Sequence, residues 1–304
     1  MNAKILALGA DGLVGSRFTD LYHKETQVVT PKSTELNITN KKQVQLFFDA
    51  HKDEFHSVIN FAAYTDVDAA EKEKGNEKGL SYLVNTIGAQ NLAEATKDFD
   101  KYFIHISTDF VFPGTEESPG PYQEDALLQD SPEGLTWYGW TKLLGEKRVA
   151  DVNKDATIVR ISYPYRAHYP GKLDYARKII SLYDEGSLYP MFTDQVITPT
   201  FIDEATKVFY ILLEEKRRGI YHVTSSDTTT PYEFASYVLE KIRGVKDVVK
   251  KGSMQEFLRA PGRPPRTRLG GLANEKTRQA LGITLMTWRE AVNEFARQFK
   301  QAPA

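Results

Sequence analysis

The sequence predicts an α/β protein built on a doubly wound parallel sheet, with a smaller C-terminal substrate-binding lobe. Three observations predict it. Short apolar runs rich in β-branched residues recur at residues 4–9, 27–30, 57–63, 102–108 and 157–161, and such continuous runs suit strands covered on both faces. Helical stripes alternate with them: Val44, Phe47 and Phe48 fall at i, i+3 and i+4 in residues 41–54, and Leu83, Val84, Ile87 and Leu92 repeat the pattern in 81–97. A glycine-rich turn joins the first strand to the first helix. Alternation of this kind gives a sheet with right-handed crossovers.

The first strand leads into Gly9-Ala10-Asp11-Gly12-Leu13-Val14-Gly15, and a helix is expected over residues 13–23. Glycines let the backbone turn tightly and approach a pyrophosphate, whose charge is favoured by N–H groups at a helix N-terminus. The spacing G-x-x-G-x-x-G departs by one residue from the G-x-G-x-x-G fingerprint. Its place after a strand and before a helix is the context that a Rossmann dinucleotide site requires. The second strand ends in Thr30-Pro31-Lys32-Ser33, with none of the acidic residues that hold the ribose 2′-OH in NAD sites. Arg17 and Lys32 can meet a 2′-phosphate or serve as solvated surface cations; on balance NADP(H) is favoured over NAD(H).

The fourth strand ends in Ser107-Thr108-Asp109, and thirty residues on comes Tyr138-Gly139-Trp140-Thr141-Lys142. Tyr138 and Lys142 share one face of a helix expected over 137–149. A phenol near its ordinary pKa of about 10 is a poor acid–base group at neutral pH, and an adjacent ammonium is expected to lower it. Doubly wound folds place their chemistry at strand C-terminal ends. Thr108 is therefore positioned to hydrogen-bond a carbonyl that Tyr138 protonates.

These blocks, with Phe61-Ala62-Ala63-Tyr64-Thr65-Asp66-Val67-Asp68, Val84-Asn85, Ser107–Gly114 and Thr198-Pro199-Thr200, resemble the dTDP-4-dehydrorhamnose reductase family of extended short-chain dehydrogenases, over nearly the whole chain and in the family's order. The resemblance implies that Gly9, Gly12, Leu13, Val14 and Gly15 follow the cofactor pyrophosphate. It places Asn37 and Ile38 near the adenine, Asn standing where the family usually has Asp. Ala63, Tyr64 and Thr65 would border the cofactor, whose ribose Tyr138 and Lys142 would touch. Thr108 and Asp109 would face the sugar, and Tyr163 would stand over it where family members often carry Trp. Arg263-Pro264-Pro265-Arg266-Thr267-Arg268 resembles the family's R-P-x-x-S-R-L segment, so Arg263 is a candidate for the substrate's diphosphate; a solvated basic turn is the other reading. Gly270 replaces a usual Asp.

Composition narrows the function classes. The 304 residues are 41% hydrophobic and 26% charged, ordinary for a soluble globular protein, and the net charge of −2 gives no reason to expect nucleic acid or a membrane surface as partner. The absence of cysteine excludes disulfides, thiolate metal sites and a cysteine nucleophile, and it fits a reducing compartment. Met1-Asn2-Ala3-Lys4 leads into too short an apolar run for a signal peptide, and nothing approaches the ~20 apolar residues of a membrane helix. A cytoplasmic location follows as the expectation.

The domain organisation expected is a nucleotide-binding domain over 1–162, to which 197–225 return, and a substrate lobe from 163–196 and 226–304. Helices are expected at 175–183, 203–215, 230–243 and 287–299. Residues 113–134, with four prolines and three glycines, read as a long loop that borders the sugar pocket and closes over it. His105, inside an apolar strand, reads as a satisfied core residue, and no histidine spacing or carboxylate cluster argues for a metal. The expected partner is a small nucleotide sugar, with a homodimer left open. Asp109-Phe110 lacks the Asp-Glu pair of the 4,6-dehydratases, and the GDP-fucose synthase type needs a cysteine. An NADP-binding regulatory subunit resembling the methionine adenosyltransferase beta subunit is the non-catalytic alternative, kept open by Tyr163 and Gly270.

Overall fold

The computed structural model describes residues 3–260 and 262–301. Met1 and Asn2, on which part of the N-terminal reading rests, lie outside the described residues, as do Pro261 and residues 302–304. The chain forms two compact units. The first comprises the residues up to Val111 with Leu128–Arg160 and Thr206–Tyr221. The second comprises Phe112–Leu127, Ile161–Ala205 and the residues from His222 on.

The first unit opens with β1 (Ala3–Leu8), α1 (Leu13–Tyr22), β2 (Thr26–Val29), α2 (Lys41–His51), β3 (Ser57–Asn60) and α3 (Val67–Glu71). A helical stretch follows, α4 (Leu80–Tyr82) running through a wide π turn at Leu83–Gly88 into α5 (Ala89–Asp98). Then come β4 (Tyr102–Thr108), α6 (Trp137–Val152) and β5 (Thr157–Ile161). After α7 (Tyr175–Asp184) and β6 (Met191–Phe192), which belong to the second unit, α8 (Ile202–Glu215) leads to β7 (Gly219–His222). The sheet runs β2-β1-β3-β4-β5-β7, and the pairs β1–β2, β1–β3 and β3–β4 are parallel. The chain therefore reverses direction across the sheet between β1 and β3, the switch point beside which doubly wound folds bind nucleotides. β7 was not foreseen, because Gly-Ile-Tyr-His carries no apolar run.

Burial explains the strand pattern: every residue of β3 and β5 is buried, and Leu6, Leu8, Val58 and Phe103 pack with Phe48, Leu92 and Val149 in one core cluster. Helix α6 fits against this sheet differently. Its buried residues include Tyr138, Lys142 and Glu146 as well as Val149. Glycines set its depth: a Cβ on Gly139 would strike the Phe110 carbonyl and one on Gly145 the Asn85 carbonyl. The carboxylate of Glu146 meets the Arg160 guanidinium of β5, with Nε to Oε1 at 3.0 Å and Nη2 to Oε2 at 2.7 Å.

In the second unit α7, α9 (Pro231–Arg243) and α12 (Trp288–Phe299) surround a core containing Tyr165, Ile179, Phe234, Trp288 and Phe295. Capping boxes start the last two helices, Thr230 with Glu233 and Thr287 with Glu290. β6 pairs in parallel with β8 (Lys251–Gly252), and α10 (Met254–Arg259) and α11 (Glu275–Leu281) complete the unit. The segment expected to close as a lid is tied down in its first half. Gly120 N–H donates to the Leu269 carbonyl at 2.7 Å, Tyr122 N–H to Gly271 at 3.0 Å, and Ala273 N–H to Tyr122 at 2.8 Å. A Cβ on Gly120 would hit the Gly270 carbonyl, and one on Gly270 would lie 2.6 Å from Thr267 Cγ2. Gly270 thus has a packing reason of its own, the Thr267 methyl. No helix among the described residues is long and apolar enough to cross a membrane.

Removing one partner of a fully buried ion pair leaves an uncompensated charge. Glu146→Leu is expected to destabilise the protein by about 3–5 kcal/mol in denaturant unfolding, and adding Arg160→Met to recover most of that loss.

Candidate active site

The turn after β1 is shaped by what its glycines exclude. Gly9 has φ +69°, and a Cβ there would lie 2.7 Å from the Ala62 nitrogen beyond β3. Gly15 is buried, and a Cβ on it would lie 2.5 Å from the Gly9 carbonyl oxygen. Gly12 N–H closes the turn on that same oxygen at 3.1 Å. Gly12 caps α1 without a side-chain hydrogen bond, and the first turn, which holds Leu13 and Val14, has no acidic residue. A helix N-terminus of that kind suits an anion.

A cleft of about 290 Å³ opens at this turn, walled by Gly9 and Gly12, by Pro31 and Ser33 after β2, and by Ala62 and Ala63 after β3. Asn37 and Ile38 complete its rim. Asn37 Oδ1 accepts from Thr39 N–H at 3.0 Å and Oγ1 at 2.8 Å, while the Ile38 carbonyl accepts from the buried Asn91 amide at 2.8 Å. The amide folds Asn37 onto its own turn, a role Asp fills equally well. Lys32, exposed, stands between two cleft-lining residues, and its N–H donates to the Glu35 carboxylate at 2.7 Å. The glycine cradle and this cleft fit a dinucleotide.

The far wall is fastened by a residue to which the sequence reading gave no role. Asn85, in the π turn, accepts from Tyr64 N–H at 2.8 Å and donates back to the Tyr64 carbonyl at 3.1 Å. The same amide donates to Thr141 Oγ1 at 3.0 Å, and Thr86 Oγ1 donates to the Thr141 carbonyl at 2.9 Å. Ala63, Tyr64 and Thr65 are thereby registered against α6. A wide turn inside a helix between two good helical segments is the structural signal of such a residue; in the sequence only the Val84-Asn85 dipeptide marked it.

Tyr138, Lys142, Thr108 and Asp109 are brought together in the first unit, all of them buried. Thr108 hydrogen-bonds the Tyr138 phenol and also Asp109 Oδ1, at 3.1 Å. Its single hydroxyl hydrogen serves one of them at a time. The Phe110 ring stands edge-on to Tyr138 at 5.5 Å. Burial pushes the Tyr138 phenol above its ordinary range, the Thr108 contact pulls the other way, and the Asp109 charge adds to the rise. The expected lowering of Tyr138 by Lys142 is thus overturned: desolvation dominates, and Lys142 points to β4 instead. Its Nζ donates to the Ile106 carbonyl at 2.7 Å and lies 3.3 Å from His105 Nε2. Burial brings Lys142 down to about 8, with Glu146 opposing.

Two further candidates belong to the second unit. Tyr163 is half-buried with φ +43°, a conformation that costs a non-glycine residue energy. Its hydroxyl accepts from Gln195 Nε2 at 3.1 Å, and that amide also donates to the Thr267 carbonyl at 2.8 Å. Arg263 is exposed, its guanidinium 4.5 Å over the Phe257 ring, while Arg268 pairs with Glu116 at 2.6 Å.

With this geometry in place, comparison with known proteins settles the family. A family model described as the RmlD substrate binding domain matches residues 3–301. The chain belongs to the dTDP-4-dehydrorhamnose reductase family. It is 32% identical to a probable low-salt glycan biosynthesis reductase, Agl14, of Haloferax volcanii, covering 86% of this chain and 87% of the relative. It is 30% identical to the dTDP-4-dehydrorhamnose reductase of Mycolicibacterium smegmatis, covering 97% of this chain and 85% of that one. The crystal structure of dTDP-4-dehydrorhamnose reductase from Bacillus anthracis in complex with NADP superposes with a TM-score of 0.84 at 28% identity, covering 98% of this chain and all of that one.

The Asn85 clasp generates a prediction. Asn85→Ala leaves the Tyr64 N–H and carbonyl without partners, at about 1–3 kcal/mol for each group that stays buried. A lower unfolding midpoint and weaker NADPH binding in a fluorescence titration are expected together.

Proposed function

We propose that the protein is an NADPH-dependent reductase, with NADH as the alternative donor, acting on the 4-keto group of a nucleotide-linked deoxysugar. The reaction proposed is dTDP-4-dehydrorhamnose to dTDP-rhamnose. The observation that carries this reading is the Tyr138 phenol held on Thr108 at the C-terminal end of β4, with Lys142 one helical turn further along the same buried face. The names of the relatives support a reductase, and the NADP in the Bacillus anthracis structure supports the cofactor. Gly9, Gly12 and Gly15 with Leu13 and Val14 would hold the pyrophosphate, Asn37 and Ile38 the adenine end, and Ala63, Tyr64 and Thr65 the remainder. When bound, the reduced nicotinamide supplies the hydride for the carbonyl carbon.

The chain's own part is the proton. A phenol pushed above its ordinary range is neutral at working pH, so Tyr138 enters the reaction as an acid. Its O–H bond breaks as a new O–H bond forms on the carbonyl oxygen. The Thr108 hydroxyl, free to rotate between two acceptors, can turn from Asp109 to the phenolate. A Lys142 ammonium favours that phenolate by charge. Asp109, Tyr163 and Arg263 are assigned to the substrate. The regulatory-subunit reading drew on Tyr163 and Gly270, and the Thr267 methyl, 2.6 Å from where a Cβ on residue 270 would stand, accounts for Gly270 without reference to a substrate.

NADPH and NADH oxidation with dTDP-4-dehydro-6-deoxy-L-mannose tests the proposal. Turnover is expected with the wild type, and Tyr138→Phe should lose roughly 10²–10⁴ of it, as when a positioned acid is removed. Equal turnover in the variant contradicts the assignment.

A further inference from the structure

Beneath Lys142 lies a chain of hydrogen bonds that runs in one direction. Ala62 N–H donates to Asn60 Oδ1 at 3.1 Å. A backbone N–H can only donate, so this contact fixes which end of the Asn60 amide faces which way. Asn60 Nδ2 then lies 3.2 Å from His105 Nδ1, which must accept. An imidazole that accepts at Nδ1 carries its hydrogen at Nε2 when neutral. His105 is 1% exposed, and burial keeps it neutral. Its Nε2–H therefore points at Lys142 Nζ, 3.3 Å away. An ammonium has only hydrogens to offer there. An uncharged amine has a lone pair for the imidazole N–H and still donates to the Ile106 carbonyl at 2.7 Å.

The opposite arrangement fails at its far end. A charged Lys142 donating to His105 Nε2 puts the ring hydrogen on Nδ1, and Asn60 must then turn its oxygen to the ring. Its NH₂ would face the Ala62 N–H, two donors about 3.1 Å apart. We infer that Asn60 and His105 are positioning residues that lock the imidazole as its Nε2–H tautomer and thereby favour the uncharged amine of Lys142 over its ammonium. The lock acts in the same direction as burial, whereas Glu146 on α6, paired with Arg160 of β5, acts against it. Tyr138 on α6 and Asp109 after β4 are the other titratable groups of this wall. The origin of the lock is informative: Ala62 lines the nucleotide cleft, so the protonation of the catalytic-face amine is wired to the cleft wall.

The inference rests on the reductase reading for its consequence but not for its first test. Long-range ¹H–¹⁵N spectra of the cofactor-free wild type, with His105 assigned through its own backbone resonances, report which ring nitrogen is protonated. Hydrogen on Nε2 alone is expected at neutral pH; hydrogen on Nδ1, or on both nitrogens, overturns the inference whatever the protein's activity. In a folded, active enzyme, Asn60→Asp gives Nδ1 an acceptor in place of a donor and so frees Nε2 to accept. The alkaline limb of its pH–kcat profile should move up by about one pH unit or more, with KM little changed. A limb that stays in place, in a variant whose spectrum shows the tautomer reversed, overturns the tuning role.

Discussion

The structure depends on the burial of a polar helix face. Tyr138, Lys142 and Glu146 recur every four residues along α6 and all three are buried. Burying such groups without partners costs several kcal/mol each, so the surrounding sheet must supply a partner for every one. Thr108 meets Tyr138, the Ile106 carbonyl and His105 meet Lys142, and Arg160 meets Glu146. These partners come from β4 and from β5. The requirement to satisfy one helix face thereby fixes which residues those neighbours carry.

A helix held this way also has to sit at one depth and one rotation. Gly139 and Gly145 let it approach the Phe110 and Asn85 carbonyls, where any larger residue would push it out. Asn85 then extends the same registration to the nucleotide cleft through Tyr64. The cleft has its own close approach, Gly9 against Ala62. The glycine turn and the buried face of α6 are consequently parts of one hydrogen-bonded wall of the first unit.

Much of this was legible in the sequence, and the exceptions have physical reasons. The strands of the sheet stood out because strands buried on both faces are apolar throughout, and the glycine turn and Tyr138/Lys142 were marked by spacing. What spacing conceals is direction. The i, i+4 relation implied that Lys142 lowers Tyr138, but which way an amine turns depends on the carbonyl of Ile106, which no sequence pattern displays. His105 was rightly read as a satisfied core residue, yet its partners Asn60 and Lys142 are 45 and 37 residues away. The segment from residue 113 read as a long loop over the sugar pocket from its four prolines and three glycines; Gly120 serves a close backbone pairing with 269–273. β7 escaped notice because an edge strand with one covered apolar residue has no periodicity to show.

If the buried face of α6 works as a coupled proton device, Lys142 must be the group whose titration controls the reaction on the alkaline side. Burial lowers it to about 8, while Tyr138 is displaced upward, so loss of the Lys142 proton comes first as pH rises. The direct measurement is single-turnover NADPH oxidation against pH for the wild type and Lys142→Met together. The account predicts a wild-type rate that falls as Lys142 loses its proton, and a slower variant in which that limb is absent. The same limb in both proteins would contradict it.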